Sequence, residues 1–127
     1  MRTVTDHKLP GINEDLTIYV CDEPGQGGAN HVYAINYNLN PGTDEGGTNP
    51  MCRISFQNGP VKEAGVNGIS GEALLAVVID RLRSFQAGPF ACRENACALT
   101  HLETSLMWLQ KRTRDRLARG VEGTNQK

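Results

Sequence analysis

The spacing of apolar residues changes at Ser70. Before it, the chain carries three short β-prone runs bounded by turn-forming residues: Leu16–Cys21, His31–Tyr37 and Cys52–Gln57. Such runs are typical of strands in an antiparallel sheet. The segments between them, residues 22–30 and 38–50, hold six of the 14 glycines and are predicted to be exposed loops. A further strand is predicted at Val61–Val66, between the turn signals Asn58-Gly59-Pro60 and Asn67-Gly68.

From Ser70 onward the spacing is helical. Ser70 is suited to cap a helix whose apolar residues recur at intervals of four and three: Leu74, Val78, Leu82 and Phe85. Gly88-Pro89 ends it, and a longer helix is predicted from Ala91 to Arg119, stopped by Gly120. That helix carries a coiled-coil-like seam of Leu99, Leu102, Leu106 and Leu109. The predicted fold class is therefore α+β: an N-terminal antiparallel sheet followed by an antiparallel helical hairpin.

Length and charge limit what this fold is expected to do. With 127 residues, of which 39% are hydrophobic, the chain suits a single domain with a β-rich part (1–69), the hairpin (70–120) and a short flexible tail (121–127). Its net charge of −1 gives no overall attraction to polyanions, so any anion site must be local. The N-terminus lacks the apolar run of a signal peptide or membrane helix, which predicts a soluble, non-secreted protein.

Residues of the kinds that support catalysis or metal binding are scattered. The four cysteines are interpreted as free thiols, and Cys92 and Cys97 are expected to be buried rather than to bind zinc. The three histidines lie in different elements, and no serine-hydrolase, zinc-protease or Walker motif occurs. Nothing argues for an enzyme, and neither a metal nor a cofactor is expected.

A basic segment, KRTRDRLAR at Lys111–Arg119, ends the longer helix. One interpretation is a solvated helix end, where cations are favourable and Asp115 pairs with Lys111 and Arg119. The other is a phosphate site, because Arg112 and Arg116 lie one turn apart with like charge and guanidinium groups match phosphate oxygens. Trp108, one turn earlier, either packs in a core or interface or stacks on a bound base.

The predicted hairpin turn, SFQAGPFACREN, allows two similar interpretations. Phe85 and Phe90 either close the core or present an aromatic face to a purine, and Asn95 either bonds the backbone or reads the polar edge of the base. Composition alone leaves both open.

Three stretches together resemble a known family. They are FQNGPVKEAGVNG at Phe56–Gly68, GPFACRENACALTHLETSLMWLQKRT at Gly88–Thr113 and RGVEGT at Arg119–Thr124. The pattern is similar to phage Thoeris anti-defence proteins of the first type, which share a helical hairpin with anti-CBASS proteins of the second type. It covers more than half of the chain, whereas the N-terminal strands fit that family only loosely.

The resemblance implies a function. Such proteins bind cyclic ADP-ribose isomers made by TIR-domain enzymes and sequester them unchanged, in the cytoplasm of the infected bacterial host. Some members also bind cyclic di- or trinucleotides at a separate site in a hexamer, a trimer of dimers, and others act as dimers. The implied ligand-binding residues are Phe85, Asn95, Arg112 and Arg116. Secondary candidates are Arg53, Arg93, the latter for the separate site, and Arg119.

The length of the second helix adds an independent constraint. Asn95 and Arg112 are seventeen positions apart, which is about 25 Å along a helix. One small ligand cannot touch both, so the site is expected to form between the long helices of two antiparallel subunits, giving a homodimer with two equal sites. The leucine seam offers an apolar surface for this pairing.

Two other functions compete with this one. The basic helix suits a nucleic-acid-binding module, although the near-neutral net charge is unfavourable. The arginines also suit a structural oligomer in which they form ion pairs between subunits.

Overall fold

The strands precede the long helices, as predicted for an α+β chain. The structure, a computed structural model, describes residues 1–43 and 45–127, so Asp44 of the predicted loop 38–50 lies outside the described residues. It contains two compact units, each described by itself below. One comprises Met1–Gly59 with Ala64–Ile69, and the other Pro60–Glu63 with Ser70–Lys127.

The first unit is an antiparallel sheet, which over the described residues has four strands in chain order. They are β1 (Thr3–Val4), β2 (Leu16–Val20), β3 (Val32–Asn38) and β4 (Thr48–Ser55). The two residues of β1 carry no pattern that could predict a strand. β4 begins inside the segment predicted as a loop, because pairing with β3 orders it. Pro50 is tolerated there since β4 is an edge strand with an irregular register opposite Ile35 and Asn36.

The glycine-rich loop between β2 and β3 is tied at its base by Asp22. The Asp22 carboxylate accepts hydrogen bonds from the backbone N–H groups of His31, at 2.9 Å, and Val32, at 3.1 Å. Burial opposes ionisation of this carboxyl, but the two N–H groups and the charge of His31 outweigh it and hold the pKa of Asp22 below its ordinary value of 3.8. The loop is therefore a defined structural feature and not simply a spacer.

The strand predicted at Val61–Val66 is wrong, because the chain forms a short helix there, α1 (Val61–Ala64). Gly59 has a φ of +88°, and the N–H of Glu63 donates to the Pro60 carbonyl at 3.0 Å, so the turn continues into a helical turn. The apolar residues of this segment suggested a strand, but hydrogen bonds from a nearby polar side chain hold it in a compact turn around the short helix. The Gln57 amide donates to the carbonyls of Gly59 and Gly65.

The second unit contains the two long helices, α2 (Gly71–Gln86) and α3 (Arg93–Ala118), which pack together as a hairpin. Their ends are close to the predicted ones. Ser70 caps α2, as predicted, by accepting a hydrogen bond from the N–H of Ala73 at 3.2 Å. Gly120, with a φ of +72°, follows the end of α3, as predicted.

We expect Ser70→Ala to lower the free energy of unfolding by about 1 kcal/mol, because an N–H in the first turn of α2 loses its acceptor. Thermal denaturation followed by circular dichroism measures this. Ser84→Ala is the matched control, since the Ser84 hydroxyl bonds to the Asp80 carbonyl within the same helix. That control should change stability by less than about 0.5 kcal/mol, and equal losses in both variants would contradict the capping role.

The packing face of α2 is rotated from the predicted one. Leu74, Leu82 and Phe85 of the predicted apolar face are half-buried, but Val78 of the same face is 46% exposed, whereas Ile79 beside it is only 2% exposed. The helix carries apolar residues on two adjacent stripes, so its sequence fits either orientation. On α3, Leu99, Leu102 and Leu106 are half-buried in the hairpin. Leu109 is the seam leucine left most exposed, at 38%, so most of the seam serves the hairpin and not pairing between subunits.

The four cysteines are free thiols, as predicted, but the expected burial of Cys92 and Cys97 is wrong because both are exposed. The Cys92 sulfur accepts a hydrogen bond from the N–H of Asn95 at 3.4 Å, and thereby caps α3. A role at the helix end explains the position of Cys92 without burial.

Candidate anion-binding site

The predicted ligand-binding residues of the second unit fall into two groups at opposite ends of α3. The turn cluster, Phe85, Phe90 and Asn95, lies where α2 passes into α3, and Arg93 is the exposed first residue of α3 beside it. The arginine cluster, Lys111, Arg112, Arg116 and Arg119, lies at the other end. Arg53 lies on β4 of the first unit, where it is exposed.

In the turn cluster, two aromatic rings meet edge to face. The centroids of Phe85 and Phe90 are 6.3 Å apart with an interplanar angle of 76°. The guanidinium of Arg81 lies 4.8 Å from the centroid of Phe85 and occupies one face of the ring. Sequence reasoning missed Arg81, although its spacing of four from Phe85 on α2 is the signal that could have found it.

The turn itself is held by a pair of hydrogen bonds between Gln86 and Cys92. The Cys92 N–H donates to the Gln86 side-chain oxygen at 3.0 Å, and the Gln86 amide donates to the Cys92 carbonyl at 3.1 Å. These bonds fix the start of α3 and with it the position of Asn95. Within residues 1–43 and 45–127, the half-buried Asn95 side chain has no hydrogen-bond partner, so its amide is available to a ligand.

The arginine cluster lines a concave surface on one side of α3, and the open cavity above this surface has a volume of about 760 Å³. Basic side chains outnumber acidic ones on this surface. Trp108, which is 68% exposed, supplies an aromatic face at one end. The acidic residue on this surface, Asp115, is paired with Lys111 at 2.6 Å, as the sequence suggested. The lining residues are Trp108, Lys111, Arg112, Asp115, Arg116, Ala118, Arg119 and Lys127.

Arg112 and Arg116 are one turn apart but lie in different environments. Arg112 is exposed and, over the part of the chain that the structure describes, has no hydrogen-bond or ion-pair partner. Arg116 is only 7% exposed, and its guanidinium is surrounded by the C-terminal segment, residues 121–127. Because an unpaired guanidinium can bind a phosphate without first losing another partner, Arg112 is the better placed of the two to contact an anion.

The C-terminal segment turns back at Gly120 and returns over the last turns of α3. The Val121 N–H donates to the Arg116 carbonyl at 3.0 Å and the Gly120 N–H to the Leu117 carbonyl at 3.1 Å, the pair of bonds that ends a helix at a glycine. This segment was predicted to be a flexible tail. No side-chain pattern indicates its position, because its main contacts use backbone carbonyls.

The structure thus places the turn cluster and the arginine cluster far apart within one chain, as expected from the length of the helix. Asn95 and Arg112 both lie in the continuous α3, Arg93–Ala118, and are therefore about 25 Å apart. No group of three or more metal-ligating side chains occurs in the described residues. The chemistry of the arginine cluster suits binding of a phosphate-bearing group, and Trp108 beside it could stack on a nucleotide base.

No helix within the described ranges is both long and apolar enough to cross a bilayer.

Comparison with known proteins gives an independent result for the same region. Residues 48–114 match the family described as Acb2/Tad1, hairpin domain. Over 77 residues the chain is 56% identical to Thoeris anti-defense 1 of Bacillus phage SBSphiJ7, in an alignment that covers 61% of this chain and 54% of that protein. The chain spans about half the length of this curated relative. The family match includes Phe85, Asn95 and Arg112, and it ends before Arg116.

Proposed function

Because the chain belongs to the Acb2/Tad1 hairpin family, we propose that it sequesters a cyclic ADP-ribose isomer, the signal of Thoeris immunity, without transforming it. The observation that carries the proposal is the concave surface on α3, where the unpaired Arg112 lies near the exposed Trp108. A guanidinium beside an aromatic face suits a ligand that joins a diphosphate to a purine. The name of its relative, a Thoeris anti-defence protein, supports the same signal.

The two clusters complete one site only if two subunits pair through α3. Successive helical residues are about 100° apart, so Asn95 and Arg112 project from sides of α3 that are themselves about 100° apart. Between those sides runs a stripe with the spacing four, three, four, which we call the pairing stripe: Ala98, Leu102, Ser105 and Leu109. Ala98 and Ser105 are exposed, and Leu109 is partly so. Leu102 is half-buried in the hairpin, so a second subunit has access to the other three positions of the stripe and partial access to this one.

The register of this pairing follows from the site. If Asn95 meets Arg112 of the partner subunit in an antiparallel pair, then Ala98 lies opposite Leu109 of the partner subunit. In the same register Leu102 lies opposite Ser105 of the partner subunit. Each leucine therefore meets a small residue, which is the alternation that lets two helices approach closely. A two-fold axis then generates two equal sites, each with the turn cluster of one subunit and the arginine cluster of the other.

The proposal is tested by incubating the protein with the product of a TIR-domain enzyme, removing free nucleotide and releasing what is bound by heating. Mass spectrometry should recover an intact cyclic ADP-ribose isomer in about equal amount to the protein chains, since each dimer has two sites. Recovery of a linear product would indicate a hydrolase instead. Retention of DNA or RNA with strong salt dependence would favour a nucleic-acid-binding module.

A further inference from the structure

Arg81 contacts the turn cluster from the preceding turn of α2. Its guanidinium carbon lies 4.8 Å from the centroid of the Phe85 ring, a distance at which a cation is attracted to an aromatic face. The Arg81 side chain is exposed, and over residues 1–43 and 45–127 it has no hydrogen-bond or ion-pair partner. The contact with the ring is therefore what holds this guanidinium in place.

A neighbouring arginine of the same helix is used in a different way. Arg83 forms an ion pair with Glu103 of α3 at 2.7 Å, and so links the two helices of the hairpin. Within the part of the chain that the structure describes, Arg81 makes no such link, although the acidic Asp80 lies next to it in the chain. The position of Arg81 therefore serves the Phe85 ring and not the packing of the hairpin.

The Phe85 ring is contacted by two groups. Arg81 covers one of its faces, and the Phe90 ring meets it at an interplanar angle of 76°. Arg81 and Phe85 are both part of α2, Gly71–Gln86, whereas Phe90 belongs to the turn that follows. The stack of guanidinium and ring is thus built on one regular helix. A ring that is already fixed in orientation loses less freedom when a ligand binds to it.

From this geometry we infer that Arg81 is a positioning residue, which holds the Phe85 ring in the orientation in which a nucleotide base stacks on it. The inference rests on the proposed function, because it assigns a role within the same shared site. Arg81 acts on the ligand through the ring and does not touch the base, since its guanidinium occupies a face of Phe85 that the base would otherwise use. The half-buried ring presents only its remaining surface.

Arg81→Met removes the charge while keeping an unbranched side chain over the ring. It should weaken the binding of cyclic ADP-ribose by about fivefold, the upper end for a cation–π contact near the surface, as measured by calorimetric titration. Arg81→Lys keeps a cation and should recover most of the affinity. Arg83→Gln is the matched control, since it removes the same charge from the same helix without touching a ring. It should bind within about 1.5-fold of wild type.

A double-mutant cycle with Phe85→Leu separates positioning from direct contact. If Arg81 acts through the ring, Arg81→Met should cause no further loss of affinity once Phe85 is replaced, so the two effects are not additive. The same fivefold loss in both backgrounds would mean that Arg81 itself contacts the ligand, and would overturn the positioning role. Thermal denaturation of all four proteins shows whether each loss is one of binding or of folding.

The contact between Arg81 and Phe85 is also measured in the free protein. The ring current of Phe85 should shift the side-chain protons of Arg81 upfield in the NMR spectrum, and Phe85→Leu should abolish this shift. Absence of the shift in the wild type would remove the basis of the inference.

The outcomes distinguish this inference from the proposed function. A wild-type protein that does not bind cyclic ADP-ribose contradicts the proposed function, and the positioning role with it. A wild-type protein that binds it, with equal binding by Arg81→Met, overturns the positioning role alone. Binding by Arg81→Lys that is as weak as that by Arg81→Met overturns the role of the cation.

Discussion

Arg112→Ala is expected to weaken the binding of cyclic ADP-ribose by about 10- to 100-fold, the usual effect of losing a charge-assisted hydrogen bond from an ordered site. Arg112, like Arg119, has a guanidinium that is exposed on the concave surface and has no partner among the described residues, and it is the one that lies a single turn from Trp108. Its removal therefore costs little in stability, and the loss should appear in affinity with an almost unchanged melting temperature. Isothermal titration calorimetry and thermal denaturation of the same samples measure both quantities.

Arg114→Ala is the matched control for this substitution. Arg114 is also exposed and carries the same charge, but it lies beside Gln110 and Thr113 on another side of α3. The control should bind within about twofold of wild type, because a charge on the far side of a helix is largely screened. Equal losses in the two variants would mean that overall charge and not a local site attracts the ligand. No loss in either would favour the structural-oligomer hypothesis.

Ser105→Arg is expected to give a monomer and to abolish binding with every native arginine still in place. Ser105 is exposed near the middle of the pairing stripe, and a two-fold axis would bring two introduced arginines close to each other and against Leu102 of each partner. If each site is shared between two subunits, as proposed, the affinity should fall by more than about 100-fold, because a monomer has only half of each site. Analytical ultracentrifugation gives the oligomeric state, and calorimetry gives the affinity.

Thr100→Arg is the control for Ser105→Arg, since Thr100 is exposed on the opposite side of α3. It should preserve both the dimer and the binding. A Ser105→Arg monomer that binds as well as wild type would show that one chain contains a complete site and would refute the shared-site proposal.

A mixing experiment tests the shared site without breaking the dimer. Asn95→Ala and Arg112→Ala should each bind poorly alone, because every site in each homodimer lacks one half. After exchange of subunits, each mixed dimer has one site built from two intact halves, so about a quarter of the wild-type sites should return. Failure of the mixture to recover binding would refute the shared-site proposal.

The sequence predicted the helical hairpin well because the signals that end helices are local. Ser70 and Gly120 act within one turn of themselves, through a side-chain oxygen and a permissive φ. The orientation of α2 could not be predicted in the same way, since Val78 and Ile79 are both apolar and only the partner helix decides which of them is buried. The strand prediction for Val61–Val66 was wrong for a related reason. Its apolar residues suit a strand, but the Gln57 side chain bonds to backbone carbonyls on both sides of the segment and holds it as a compact turn.

At the site, the sequence predicted which types of residue are present, but it did not predict which of them are buried or what they contact. The spacing of Arg112 and Arg116 indicated two equivalent arginines, yet one is exposed and the other is buried under a segment whose carbonyls it binds. Backbone carbonyls are present at every residue, so no sequence pattern marks those that will be acceptors. Arg81 could have been found by its spacing from Phe85. The contribution of Lys127 could not, because it depends on the path of the chain after Gly120.

The unbroken course of α3 has a consequence for how its length can vary. Since Asn95 of the turn cluster and Arg112 of the arginine cluster lie on one helix, Arg93–Ala118, inserting a single residue between them would rotate one about 100° relative to the other. An insertion of seven would restore the phase almost completely while lengthening the helix by about 10 Å. Length changes within this helix should therefore be tolerated in heptads, with the two sites of a dimer moving apart in step.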